Sequence, residues 1–229
     1  MYINFWYPIV LSEELKEEPI RVRMLGQNFV IFRDSKGKAS TLSDTCPHRG
    51  GALSGGIIKE NCIQCPYHGW QFDGEGHCHR IPSLGKGVKI PVRARVDAYP
   101  TEEKYGIVFA FLGDLEEKQR PPIMPVNELD DDQNWRANWL TYEADINFER
   151  SIENGLDVAH NEFVHPTHGH EGKDEDYKVN KLDFVENMFG QKKWGFGLWH
   201  AFKSPASTKE SPQIKEESDQ RMAGSGIVG

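Results

Sequence analysis

The chain has 229 residues and a mass of 26.1 kDa, enough for one large domain or two modest ones. Its 27 Lys and Arg against 35 Asp and Glu give a formal net charge of −8, which argues against nucleic acid or an anionic membrane as the main partner. The longest apolar run, residues 106–113, is far shorter than the roughly 18 residues of a membrane span. The first residues show no signal peptide, so we expect a cytoplasmic protein.

The chain pattern predicts two domains, residues 1–125 and 126–229, with a Pro-rich seam at 120–125. Residues 1–125 predict short strands and turns. The predicted features are a strand at 29–32, a turn at 34–38 and a return strand to 42, a strand entering a turn at 70–76, a half-buried strand at 88–96 and a buried strand at 105–112. The apolar spacing of 146–164 predicts a helix that ends near His165, which precedes a proline. The tail, 204–229, is predicted to be a loop.

The four cysteines fall within 33 positions and lie among histidines, which indicates a metal site rather than a disulfide scaffold. Cys46 and His48 form a C-x-H motif, and Cys65 and His68 form a C-x2-H motif, with sixteen residues between His48 and Cys65. Each motif offers one thiolate and one imidazole beside glycines, the ligand division of a Rieske [2Fe–2S] centre. A tetrahedral zinc site is the alternative, although zinc fingers pair Cys with Cys and His with His. Cys62 and Cys78 are expected to be buried, without a ligand role.

A second group of metal-binding residue types lies in 153–165 as N-x2-D-x2-H-x4-H. Asp157 and His160 are three apart, which places them on one helical face. His165 reaches the same ion only if the helix ends or bulges between the two histidines. Two imidazoles and a carboxylate form the facial triad of non-haem Fe(II) oxygenases, although a His pair on a helix is usually structural.

Four segments resemble Rieske-type non-haem iron oxygenases, in the branch that contains pheophorbide a oxygenase, chlorophyllide a oxygenase and vanillate O-demethylase. They are WYPIVLSEEL (6–15), CPHRGGALSGG (46–56), CPYHGW (65–70) and ENGLDVAHNEFVHPTHG (153–169). The resemblance implies a mainly β Rieske domain, followed by the start of an α+β catalytic domain with an antiparallel sheet and helices in a helix-grip-like arrangement.

The resemblance also implies roles for the residues of both groups. It makes Cys46, His48, Cys65 and His68 the ligands of the [2Fe–2S] cluster. It makes His160 and His165 ligands of a mononuclear Fe(II), with Asp157 as a bridge that conducts an electron from the Rieske histidine of a neighbouring subunit. That bridge implies a homotrimeric ring in the full-length form. The family's carboxylate ligand lies farther downstream, so we expect an N-terminal portion of a longer oxygenase, with the third iron ligand beyond residue 229.

The partners implied by the resemblance are a ferredoxin or ferredoxin reductase as electron donor, O₂, and an aromatic or tetrapyrrole-like substrate. Plant members of the branch are chloroplast-targeted, whereas this chain begins directly in its domain. We therefore expect a bacterial protein, thylakoid-associated if cyanobacterial. The alternatives are a Rieske ferredoxin-like carrier without a second metal and a zinc structural protein. A basic face at Lys89, Arg93 and Arg95 is expected to be solvated, with contact to an acidic ferredoxin as the alternative.

Overall fold

The computed structural model describes residues 3–131, 133–157, 159–164, 172, 175, 183–185, 196–202 and 221–227. The chain divides into two compact units, Met1–Ala137 and Asn138–Gly229. Within the described part, no helix has the length and apolar character that crossing a membrane requires. The domain boundary expected at residue 125 stays a prediction.

The first unit consists of three antiparallel sheets built from eleven strands. The strands are β1 Phe5–Leu11, β2 Ile20–Met24, β3 Gln27–Arg33, β4 Ala39–Ser43, β5 Ile57–Lys59, β6 Cys62–Gln64, β7 Gln71–Asp73, β8 Cys78–Arg80, β9 Ala98–Tyr99, β10 Thr101–Lys104 and β11 Ile107–Leu112. The sheets have the strand orders β1-β11-β10, β2-β3-β4-β9 and β5-β6-β7-β8. Short 3₁₀ turns occupy Leu53–Gly55, Pro82–Leu84 and Glu117–Gln119, and the helix α1 spans Asn127–Asp130.

Strand β3 is buried on both faces and divides the core of this unit in two. Phe29 and Ile31 pack into one cluster, which includes residues of β11. Val30 and Phe32, on the opposite face, pack into a second cluster together with Cys46 and Cys65. Because successive side chains of a strand point to opposite faces, this one apolar strand contributes to both clusters. The two segments that carry the predicted metal ligands therefore pack against the second cluster.

A paired charge connects β3 to β10. The Arg33 guanidinium donates two hydrogen bonds of 2.7 Å to the Glu103 carboxylate, and its Nε donates to the Leu15 carbonyl at 3.1 Å. The hydrogen bond from Arg33 is the main reason that the pKa of Glu103 lies below its ordinary value, and the same bond raises the pKa of Arg33. This bidentate geometry is the strong form of a carboxylate–guanidinium contact.

The predicted strands and turn over 29–42 and the predicted strand-to-turn segment at 70–76 are confirmed. The predicted buried strand at 105–112 begins only at Ile107, because Tyr105 and Gly106 form a turn with φ of 58° and 74°. The half-buried strand predicted for 88–96 is wrong. That segment is irregular, with Val92 90% exposed. Pro91 lacks a backbone donor for a sheet ladder, and Gly85 and Gly87 take positive φ just before it.

The Pro-rich stretch 120–125 is anchored to the first unit. The Trp6 indole Nε1 donates a 2.7 Å hydrogen bond to the Pro121 carbonyl, and Ile123 is buried. The stretch is proline-rich but still anchored, since a proline keeps its carbonyl as an acceptor.

The second unit contains the helices α2 Phe148–Leu156 and α3 Asn161–Val164 and the antiparallel strands β12 Asp183–Val185, β13 Phe196–Phe202 and β14 Arg221–Ile227, in the order β12-β13-β14. The single helix predicted over 146–164 is wrong, because the chain takes an extended conformation at Asp157 and α2 ends there. The loop predicted for the tail is wrong at 221–227, which pairs with β13. The predicted fold class, a mainly β Rieske domain followed by an antiparallel sheet with helices, is confirmed.

Candidate metal centres

Two loops of the same design carry the four predicted cluster ligands. In the first, the Gly50 amide donates to the Cys46 carbonyl at 2.9 Å, and the Cys46 amide donates to the Gly51 carbonyl at 2.9 Å. In the second, the Gly69 amide donates to the Cys65 carbonyl at 3.0 Å. Gly50 and Gly69 have φ of 72° and 71°, a left-handed conformation that side chains other than glycine rarely adopt. The glycine four residues after each cysteine thus closes a tight turn around the ligands.

The two cysteines of these loops meet below the protein surface. Cys46 is 2% exposed and Cys65 is 1% exposed, and their side chains are within hydrogen-bonding contact. Burial, followed by the hydrogen bond and the charge of Cys65, raises the pKa of Cys46 to about 11. Metal binding at these sulfurs must therefore displace protons, since the thiolate is the ligand.

The two histidines meet at the surface above the cysteines. The ring centroids of His48 and His68 lie 4.4 Å apart at an interplanar angle of 66°. The His48 ring stacks on Trp70 at 4.8 Å and 7°, and the His68 ring lies 3.9 Å from that of Tyr67. Desolvation, and then the charges of His68 and Arg49, lower the pKa of His48. A lowered pKa favours the neutral imidazole, which is the form that binds a metal.

The four side chains thus form a thiol pair and an imidazole pair. A tetrahedral zinc site has all its ligands on one ion, whereas a Rieske cluster has two cysteines on one iron and two histidines on the other. The arrangement fits the two-iron cluster better than it fits zinc.

A buried carboxylate that the sequence analysis missed supports the first loop. Asp44, 4% exposed, accepts hydrogen bonds from the Ser54 amide at 2.6 Å and the Ser54 hydroxyl at 2.8 Å. The Arg21 Nε lies 3.3 Å from the same carboxylate. Asp44 therefore closes the segment that carries Cys46 and His48. Its position two residues before the first cysteine is the one signal in the sequence, and this signal does not identify its partners.

At the second predicted site, Asp157 and His160 lie together. Asp157 Oδ2 is 3.6 Å from His160 Nδ1, and Asp157 Oδ1 accepts the Ala159 amide at 2.9 Å. The two side chains meet although Asp157 caps α2 instead of sharing a helical face with His160. The Asn154 backbone carbonyl accepts the Asp157 amide at 3.3 Å. His165 lies outside the described residues.

The remaining cysteines and two other histidines of this region stand apart from the ligand pairs. Cys62 and Cys78 are free and half-buried, so they are less buried than expected, and burial raises the pKa of each. His79 contacts the Asp73 carboxylate at 2.6 Å, and His77 lies 3.7 Å from it. His77 and His79 therefore contact a neighbouring carboxylate instead of the ligand pairs.

Comparison with known proteins places this geometry in a family. The Rieske [2Fe–2S] domain profile matches residues 5–100. The chain is 32% identical to cholesterol 7-desaturase nvd 1 of Ciona intestinalis, over 82% of this chain and 40% of that protein. It is 36% identical to chlorophyllide a oxygenase of Chlamydomonas reinhardtii, over 71% of this chain and 24% of that protein. The structure of the NdmA QL mutant of Pseudomonas putida CBB5 with theobromine superposes with a TM-score of 0.69 at 28% identity. The match covers 86% of this chain and 58% of that one.

A dicamba monooxygenase structure shares the fold, with a TM-score of 0.72 at 22% identity over 96% of this chain and 61% of that one. The chain spans less than half the length of the curated relatives named above. The paired thiols and imidazoles and these similarities lead to one assignment: the chain belongs to the Rieske-type oxygenase family, with a Rieske [2Fe–2S] domain over residues 5–100.

Proposed function

We propose that this chain is part of the oxygenase component of a Rieske non-haem iron oxygenase. In that function, a [2Fe–2S] cluster supplies single electrons and a mononuclear Fe(II) activates O₂ to oxygenate an aromatic or tetrapyrrole-like substrate. The observation that carries the proposal is the separation of the four ligands into a buried thiol pair and an exposed imidazole pair.

The residues of the first unit would hold and orient the cluster. Cys46 and Cys65 would hold one iron as thiolates, at positions that are buried from water. His48 and His68 would hold the other iron through their imidazoles, and both side chains are exposed. The cluster would supply single electrons, and its histidine side is the one that a partner protein could reach, because protein covers the cysteine side.

The residues of the second unit would prepare the mononuclear iron site. Asp157 Oδ2 lies 3.6 Å from His160 Nδ1, where a carboxylate can orient a metal-binding imidazole. A carboxylate behind a metal-binding histidine fixes its ring orientation and raises its basicity. We assign His165 as the second imidazole ligand of this iron. In the full-length homotrimer, Asp157 also connects this histidine to a Rieske histidine of the neighbouring subunit.

The substrate and donor classes follow from the relatives. Chlorophyllide a oxygenase and the alpha subunit of phenoxybenzoate dioxygenase, which is 39% identical over 129 residues, support a tetrapyrrole-like or aromatic substrate. Rieske oxygenases receive electrons from a ferredoxin or a reductase, and we assign one of these as the donor. We assign a cytoplasmic location, with thylakoid association if the protein is cyanobacterial. Two relatives named as chloroplast proteins, chlorophyllide a oxygenase and TIC 55 of Pisum sativum, support the thylakoid association.

Metal analysis of the purified chain, with an EPR spectrum after dithionite reduction, tests the proposal. We expect about two irons and two acid-labile sulfides per chain and a Rieske signal. In a full-length protein we expect about three irons, and two would favour the ferredoxin-like carrier. Zinc without sulfide would overturn the assignment.

A further inference from the structure

The longest irregular segment of the first unit is also its most basic one. Between Glu75 and Asp97 the chain has no acidic residue and five basic ones, in a protein whose formal net charge is −8. All five side chains are exposed: Arg80, Lys86, Lys89, Arg93 and Arg95. We name residues 80–95 the basic loop. A loop of this length without regular strands is uncommon in a compact domain and usually has a function.

The basic loop is anchored at both ends, and its middle is exposed to solvent. Ile81 and Ala94 are buried at its two ends, and the Cys78 amide donates to the Ala94 carbonyl at 3.2 Å. Between these anchors, Val88 is 52% exposed and Val92 is 90% exposed. Apolar side chains held in water among basic ones are typical of a contact surface and add nothing to the core.

The basic loop starts against the exposed ligand pair. Pro82 lies so close to Gly69 that a Cβ on that glycine would be 3.1 Å from Pro82 Cγ. Gly69 directly follows His68 in the chain. Arg49, which follows His48 in the chain, is also exposed. The start of the basic loop and one further basic residue therefore adjoin the loops that carry the exposed imidazole pair.

We propose that the basic loop and the His48–His68 edge together form the docking surface for an acidic one-electron carrier protein. The proposal rests on the function proposed above. One electron leaves the reduced [2Fe–2S] centre of the carrier and reduces the cluster of this chain by one electron, with no bond made or broken. Transfer is downhill because plant-type ferredoxins have lower reduction potentials than Rieske centres. Opposite charges steer such encounters and fix their orientation.

Binding of an oxidised plant-type [2Fe–2S] ferredoxin to the cluster-loaded chain is the direct test, by calorimetry at low ionic strength. The charge-reversal variant Lys86→Glu/Lys89→Glu/Arg93→Glu should raise the Kd at least about tenfold. The matched control Lys16→Glu/Lys36→Glu/Lys118→Glu makes the same change of charge at exposed positions outside the loop and should change the Kd little. Stopped-flow reduction of the cluster by reduced ferredoxin should slow in the same variant, and raising the salt concentration should weaken wild-type binding.

Equal Kd values for the two triple variants would overturn the proposal, because net charge alone would then explain the binding. A changed oligomeric state of the loop variant in sedimentation, with its Kd for ferredoxin unchanged, would also overturn it in favour of a second copy of this chain. Cluster content, midpoint potential and circular dichroism are measured for each variant. If the wild-type chain binds no [2Fe–2S] cluster, the proposed function fails; if it binds the cluster and only the charge effect is missing, the docking surface alone fails.

Discussion

The two candidate metal centres differ in how much of each lies in one short stretch of chain. The cluster site draws all its ligands from 23 positions, Cys46 to His68, on two turns closed by their own backbone hydrogen bonds. The Asp157–His160 site has two side chains beside a helix end and needs further ligands from elsewhere. A site built from local turns on a packed core is recognisable and stable by itself, whereas a site assembled from distant segments depends on the whole catalytic domain.

The largest expected effect is the loss of the cluster in Cys65→Ser. Serine cannot replace a buried thiolate on iron, so we expect iron and sulfide contents near zero and no Rieske EPR signal. Cys62→Ser is the matched control, because Cys62 is free, half-buried and outside the ligand pairs. Retention of the cluster in Cys65→Ser would contradict the assignment of the thiol pair.

The next largest effect is expected from the support of the first loop. Asp44→Ala leaves the partly buried Ser54 amide and hydroxyl without their carboxylate partner, so the free energy of unfolding should fall by about 1–2 kcal/mol. Urea denaturation measures this loss, and the exposed Asp114→Ala serves as control. An unchanged midpoint would show that the loop does not depend on Asp44.

A smaller, pH-dependent effect is expected from the Arg33–Glu103 pair. Since folding lowers the pKa of Glu103, the pair stabilises the protein above the unfolded glutamate pKa of about 4.3, and this contribution is lost as the pH falls through the lower folded value. The pair is partly exposed, so about 1 kcal/mol or less is expected. Melting temperatures from pH 7 to pH 3 should fall less steeply for Glu103→Gln than for wild type. Parallel curves would exclude a contribution from this pair.

No effect on the cluster is expected from a change at the second site. Asp157→Ala should leave iron, sulfide and the Rieske EPR signal of this chain as in wild type, because Asp157 contributes no cluster ligand. In a full-length protein, the same substitution should leave the mononuclear iron bound and reduce turnover to a small fraction of wild type. Undiminished turnover would remove the bridge role of Asp157, and loss of the cluster would contradict the independence of the two centres.

The sequence predicted those parts of the molecule whose cause is local. The Cys and His spacing, and the continuous apolar run that buries β3, depend only on neighbouring residues. The apolar–polar alternation at 88–96 was misleading, because Pro91 and the preceding glycines prevent a ladder that the pattern alone would favour. The pairing of Arg33 with Glu103 joins residues 70 positions apart, and no periodicity in the sequence indicates it.

The prediction at the second site was only partly right, because the structure there also depends on more than the local residue pattern. Apolar spacing indicates a helix but does not show where an extended residue such as Asp157 ends it. The pairing of β14 with β13 likewise arises from contacts that composition does not indicate, since the tail appears polar by residue count. Tertiary pairing decides such segments.

The double burial of β3 has a consequence for the order in which the Rieske domain opens. Its backbone is hydrogen-bonded to β2 on one side and β4 on the other, and its side chains belong to both apolar clusters. No local fluctuation frees β3 while leaving either cluster whole. Its amide protons should therefore exchange with deuterium only through global unfolding, while those of the 80–95 segment exchange early. The cysteine pair thus packs against the part of the domain that we expect to unfold last.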